Sequence, residues 1–177
     1  MTGWLTLFLV GTDLFVISPL LPRIASSLNV SPALAGLTVT VFALAYLAGG
    51  PALGALADRH GHARVLTAAL LLFAGANLAT GFSASLAALL AARAVAGLAA
   101  SGITPSVYAL ISAAAPAERR ATWLATVTSG LLLALVTGAP AGSLLGSALG
   151  WPATFSVLAG AAGAMFVVTW VATRRRP

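Results

Sequence analysis

Two residues of this chain carry charge where charge is costly. Asp13 lies within "LVGTDLFVI" and Arg93 within "LLAARAVAGL", each inside an apolar run. A carboxylate can take up and release a proton, and a guanidinium can hold that carboxylate or an anionic solute. In a nonpolar segment such groups face a partner or a water-filled interior. A third cluster, "GALADRHGHARVL" at residues 54–66, gathers Asp58, Arg59, His60, His62 and Arg64, with Gly54 one helical turn before the acid. Asp58 and the two histidines are ligand types, but nothing nearby completes a metal site, so the stretch reads as a polar turn.

What must position these groups is set by composition. Of 177 residues, 60% are hydrophobic and only 7% are charged, against roughly a quarter charged in a soluble domain. Residues 24–57, 65–92, 94–117 and 121–173 carry no formal charge. A spanning helix needs roughly 20 mainly apolar residues, so the bilayer is the solvent these runs fit. The net charge of +6 comes from nine arginines with no lysine. They are scattered at helix ends rather than forming a face, which argues against nucleic acid. Cysteine is absent, so neither disulfides nor thiol chemistry is available. The start lacks a basic leader and carries Asp13 in its apolar stretch, so it reads as a retained first helix.

Turn signals divide the chain into six spans, an all-α integral membrane bundle forming a single domain. The expected helices cover about residues 3–21, 33–56, 66–81, 86–112, 122–148 and 154–171, with the first ending at Pro22. Arginine alternates across the loops. Arg59 and Arg64, Arg119 and Arg120, and Arg174, Arg175 and Arg176 fall on one side, and only Arg23 on the other. The positive-inside rule then puts both termini and the 2–3 and 4–5 loops in the cytoplasm. Asp13 and Arg93 lie about eight and seven residues from the outer ends of spans 1 and 4. At 1.5 Å per residue that is roughly 10–12 Å deep for both. Equal depth permits pairing across the interior, either as a coupling pair facing a water-filled cavity or as a static pair that fixes packing.

Four stretches in order resemble the major facilitator superfamily, in its drug:proton antiporter and sugar-efflux branch. Residues 54–66 match the family's signature loop at Gly54, Leu56, Asp58, Arg59, Gly61 and Leu66, while His62 and Ala63 replace usual basic residues and Arg64 partly restores the charge. "DLFVISPLLPRIASSLNVSP" resembles the branch's first helix. "RAVAGLAASGITPSVYALI" resembles its fourth, with Arg93 as the buried arginine. "TGAPAGSLLGSALGWPATF" resembles its antiporter motif, with Ala139, Ser143 and Pro152 departing from the pattern. The resemblance implies a secondary transporter, not an enzyme, without a cofactor. It implies proton-coupled efflux of a small drug-like or sugar-like solute by alternating access. Asp13 would carry or gate the proton, and Arg93 would tune it or bind an anion. The loop of Gly54, Asp58, Arg59, Gly61 and Arg64 would latch two transporter halves.

Family members normally have two six-helix halves; this chain holds one, and no internal repeat is visible in it. It reads either as a six-helix protein that dimerises or as an N-terminal half needing a different partner, and a non-transporting interaction module stays open. Small residues at four-residue spacing form seams for close helix contact. Gly50 and Gly54 on span 2, and Gly138, Gly142, Gly146 and Gly150 with Pro140 on span 5, would supply a homodimer seam, or packing within one half. Pro51, Pro105 and Pro140 mark bends. Phe42, Tyr46 and Tyr108 would line a pocket or pack in the core. The expected partners are membrane lipid, a small solute, protons and a second copy, in a bacterial inner membrane. The terminal arginines read as a topology anchor.

Overall fold

In hydrocarbon every backbone N–H and C=O must find a partner inside the protein, which leaves closed helices as the economical solution. The computed structural model describes residues 1–174, and helices fill nearly all of them. They are α1 (Thr2–Val16), α2 (Leu21–Ser27), α3 (Pro32–His60), α4 (His62–Gly81), α5 (Leu86–Ala114), α6 (Arg120–Leu149) and α7 (Trp151–Arg174). Short 3-10 turns cover Ser18–Leu20 and Ala117–Arg119. With α1 and α2 taken as one bent span, six helices among the described residues are long and apolar enough to cross a membrane. Arg175 and Arg176 of the expected basic tail lie outside the described residues.

The first span does not end at Pro22. The chain bends through the 3-10 turn and continues as α2 to Ser27. Pro22 sits in the first turn of α2, where its missing N–H has no bond to lose. The loop expected between spans 2 and 3 shrinks to one residue. Helix α3 runs to His60 and α4 starts at His62, with Gly61 at φ 91° between them. That left-handed backbone suits glycine and little else. Charged residues near a helix end sit in water without breaking the helix, so polarity there marked an interface and not a loop. Ser31 and Ser85 cap α3 and α5 by accepting from Leu34 and Ala88 at 3.3 Å. Pro51, Pro105 and Pro140 stay inside unbroken helices.

Packing follows the small residues. Helix α1 lies along α6, α3 along α5, and α4 wedges between α5 and α7. A side chain on Gly97 would run into the backbone of Phe42, and one on Gly142 into the carbonyl of Val16. The two seams match in register. Gly11, Phe15 and Val16 on α1 meet Leu131, Gly138 and Gly142 on α6. Gly97, Ser101 and Gly102 on α5 meet Phe42, Gly49 and Leu53 on α3, in the same order and spacing. The α1–α6 and α3–α5 seams therefore resemble each other, a likeness not visible in the sequence. The glycines at 138, 142 and 146 are consumed inside the bundle: Gly146 faces Leu20 and Arg23. Expected as a dimer seam or as packing within one half, they serve the second: Gly138 and Gly142 let α6 close onto α1, and Gly146 leaves room for the turn and α2 beyond it. Pro140, on the same helix, is exposed.

Candidate functional site

Asp13 on α1 and Arg93 on α5 meet in the centre of the bundle. The Nη1 of Arg93 donates to both carboxylate oxygens at 3.0 Å, and both side chains are 0% exposed. Helix α3 brings the ring of Phe42 to 4.4 Å from the guanidinium carbon, and α7 brings Phe155 to 5.5 Å. Two aromatic faces thus enclose the cation, a favourable arrangement in a desolvated place. The Nε and Nη2 of Arg93 have no acceptor among the described residues. One nitrogen therefore carries the whole direct link to Asp13. Removing either member of such a buried pair leaves the other uncompensated, at a cost of about 3–5 kcal/mol.

The pair is sealed, which corrects the expectation of a wet interior. Two cavities, of about 370 and 360 Å³, lie elsewhere and neither touches Asp13 or Arg93. The first sits at the end bearing both termini, between α1, α4, α5 and α7, and is lined by Thr6, Val107, Ile111 and Thr169 among others. Phe42 is 2% exposed and covers the guanidinium instead of lining a pocket. Tyr46 is half-buried and near-parallel to Phe42, with centroids 6.5 Å apart. Tyr108 lies apart, its hydroxyl 3.1 Å from the Thr128 hydroxyl. The physical reason is packing: the aromatic at position 42 follows the face of α3 that meets α5 at Gly97.

The second charged cluster points outward. Asp58, its side chain 77% exposed, reaches only His62, at 3.6 Å. Arg59 and Arg64 are exposed and in no ion pair among the described residues. A Cβ on Gly54 or Gly50 would meet nothing within 4 Å. The residues of this turn therefore leave an open face. Among the described residues no three His, Cys, Asp or Glu side chains gather to hold a metal ion.

Some contributors were invisible beforehand. Phe155 lies in the first turn of the expected sixth span with nothing in the sequence to mark it, and only the fold carries it to Arg93. Trp151 donates to the Ser27 hydroxyl at 2.9 Å, tying α7 to the end of α2. Asn77 and Ser106 are buried, with the Asn77 Oδ1 and Ser106 Oγ unpaired. A polar residue inside an uncharged run was the available signal for both.

The sequence also matches known proteins. The model of the Major Facilitator Superfamily matches residues 3–177. A chloramphenicol resistance protein of Streptomyces lividans is 37% identical over 150 residues, covering 85% of this chain and 38% of that protein. An uncharacterised MFS-type transporter of Bacillus subtilis, YtbD, is 33% identical over 152 residues, 85% of this chain and 38% of its own length. The putative uncharacterised transporter YgaY of Escherichia coli is 32% identical over 171 residues, 94% of this chain and 43% of its own. The chain thus spans about two fifths of the length of these relatives.

Proposed function

The chain belongs to the Major Facilitator Superfamily, and we propose that it forms one six-helix half of a secondary transporter in a bacterial cytoplasmic membrane. The half exports a small drug-like or sugar-like solute in exchange for protons, by alternating access. One observation carries this reading: among the described residues the only buried acid is held by one nitrogen of the only buried arginine, inside the bundle. Protonation of Asp13 discharges that link and frees the Arg93 guanidinium between its two rings. Since the pair is closed to water here, proton exchange belongs to a second, opened arrangement. The excess of arginine at the end bearing both termini supports placing that end in the cytoplasm. The name of the Streptomyces relative, a chloramphenicol resistance protein, supports a drug-like solute.

The test is uptake of labelled chloramphenicol into proteoliposomes of inverted orientation, driven by an imposed pH gradient. Asp13→Asn is expected to abolish gradient-driven uptake while the chain keeps its fold by circular dichroism. Unchanged uptake removes the coupling role. The 0% exposure of both partners favours one competing reading, a static ion pair that only fixes the packing of α1 on α5. In that case the variant lowers the unfolding midpoint yet transports normally per folded molecule.

A second six-helix unit completes the pathway, and a second copy of this chain is the proposed one. Its docking face narrows to the open side of α3 around Gly50, Gly54 and Asp58, because the glycines of α6 are already used. The mass of the purified chain in nanodiscs decides this: twice the chain mass is expected, and a strict monomer overturns the homodimer in favour of a different partner half.

A further inference from the structure

The cavity of about 360 Å³ between α3, α4 and α5 is a slot with one apolar end and one cationic end. Leu53, Leu56, Leu72 and Ala99 line it, with His60 and Arg64 on either side of the Gly61 turn. Leu56 and Leu72 are 42% and 45% exposed, so the slot opens at the outer surface of the bundle. It does not share a face with the open glycines. At 3.6 residues per turn, Leu53, Leu56 and His60 fall on one side of α3, while Gly50, Gly54 and Asp58 fall on another. No acidic side chain lines it; the nearest in sequence, Asp58, is turned to His62.

We propose that this slot binds an anionic phospholipid of the surrounding bilayer, with one acyl chain along the leucines and the phosphate at Arg64 and His60. The complementarity is twofold. The apolar wall ends in an arginine that has no carboxylate partner among the described residues. That arginine also sits at the helix terminus, where the headgroup layer meets the spans. A zwitterionic lipid offers the same tail but no net charge for Arg64 to neutralise. The proposal rests on the chain spanning a membrane, not on its transporting anything.

The experiment embeds the full chain in nanodiscs of equal phosphatidylglycerol and phosphatidylcholine with identical acyl chains, and counts lipids retained on release in a mass spectrometer. The wild-type chain is expected to keep phosphatidylglycerol about fivefold over phosphatidylcholine, the preference one interfacial arginine supplies. Arg64→Gln brings the ratio near one, whereas Arg120→Gln, a charge at the same end but outside the slot, leaves it unchanged. Ala68→Phe, which fills the slot, lowers retention of both lipids. Equal retention by the wild-type chain overturns the proposal, as does equal loss in the Arg64 and Arg120 variants. Displacement of phosphatidylglycerol by millimolar inorganic phosphate overturns it too, by showing a site for the free anion. Retention is read with no solute and no gradient, so its failure is distinct from failure of the transport assay.

Discussion

Among the described residues the molecule holds two acid–base pairs, one at its centre and one at its edge. At the centre, Arg93 and Asp13 meet at 3.0 Å with neither side chain exposed. At the edge, His62 and Asp58 lie 3.6 Å apart, 31% and 77% exposed. Water makes the difference. At the edge it screens both groups, so the contact contributes little and either residue is free to engage something else. At the centre each charge depends chiefly on the other, because apart from two aromatic rings beside Arg93 nothing replaces lost hydration. A pair that cannot be separated cheaply suits a switch with two defined states, and a pair that can suits a docking face.

That contrast is open to attack in order of expected effect. Arg93→Ala strands Asp13 among aromatic and aliphatic side chains, and should cost about 3–5 kcal/mol of stability. Thermal unfolding in detergent would read the loss. The double change to Asp13→Asn with Arg93→Gln should cost clearly less than the sum of the single ones; a fully additive result would mean the groups are not coupled.

Smaller effects are expected where geometry alone is disturbed. A methyl group on Gly97 would collide with the backbone of Phe42, so Gly97→Ala should destabilise by about 1–3 kcal/mol. The same change at Gly54, which faces open space, should be neutral or raise stability by up to about 1 kcal/mol through helix propensity. If the two substitutions behave alike, the close approach of α3 and α5 is wrong. Smallest is Asp58→Asn, expected to move the unfolding midpoint by less than about 1 kcal/mol, while weakening the association of two six-helix units in the nanodisc mass measurement. An effect on stability as large as that of Arg93→Ala would show that the turn is buried after all.

Much of this was readable beforehand, and the reasons are physical. Long uncharged runs have one sensible solvent, so six spans follow from composition. Asp13 and Arg93 announced themselves because charge in such runs is rare. Helix ends were less legible. Pro22 signals a stop, yet proline is at home in a first helical turn, and the polar residues near Gly61 signal a loop, yet they are helical. The glycines at 138, 142 and 146 declared a close contact but not its partner, since a missing Cβ serves a neighbour within the chain or outside it equally well.

The amino-acid order by itself determined the solvent, the number of spans and the two groups that need each other, because hydropathy and charge are local properties of each residue. Tertiary structure alone decided which helices face which. It enclosed Arg93 between Phe42 and Phe155, closed α1 onto α6, left Gly54 uncovered, and repeated one seam twice in matching register. Those outcomes depend on the mutual fit of surfaces far apart in the chain, and shape complementarity has no signature in any single segment.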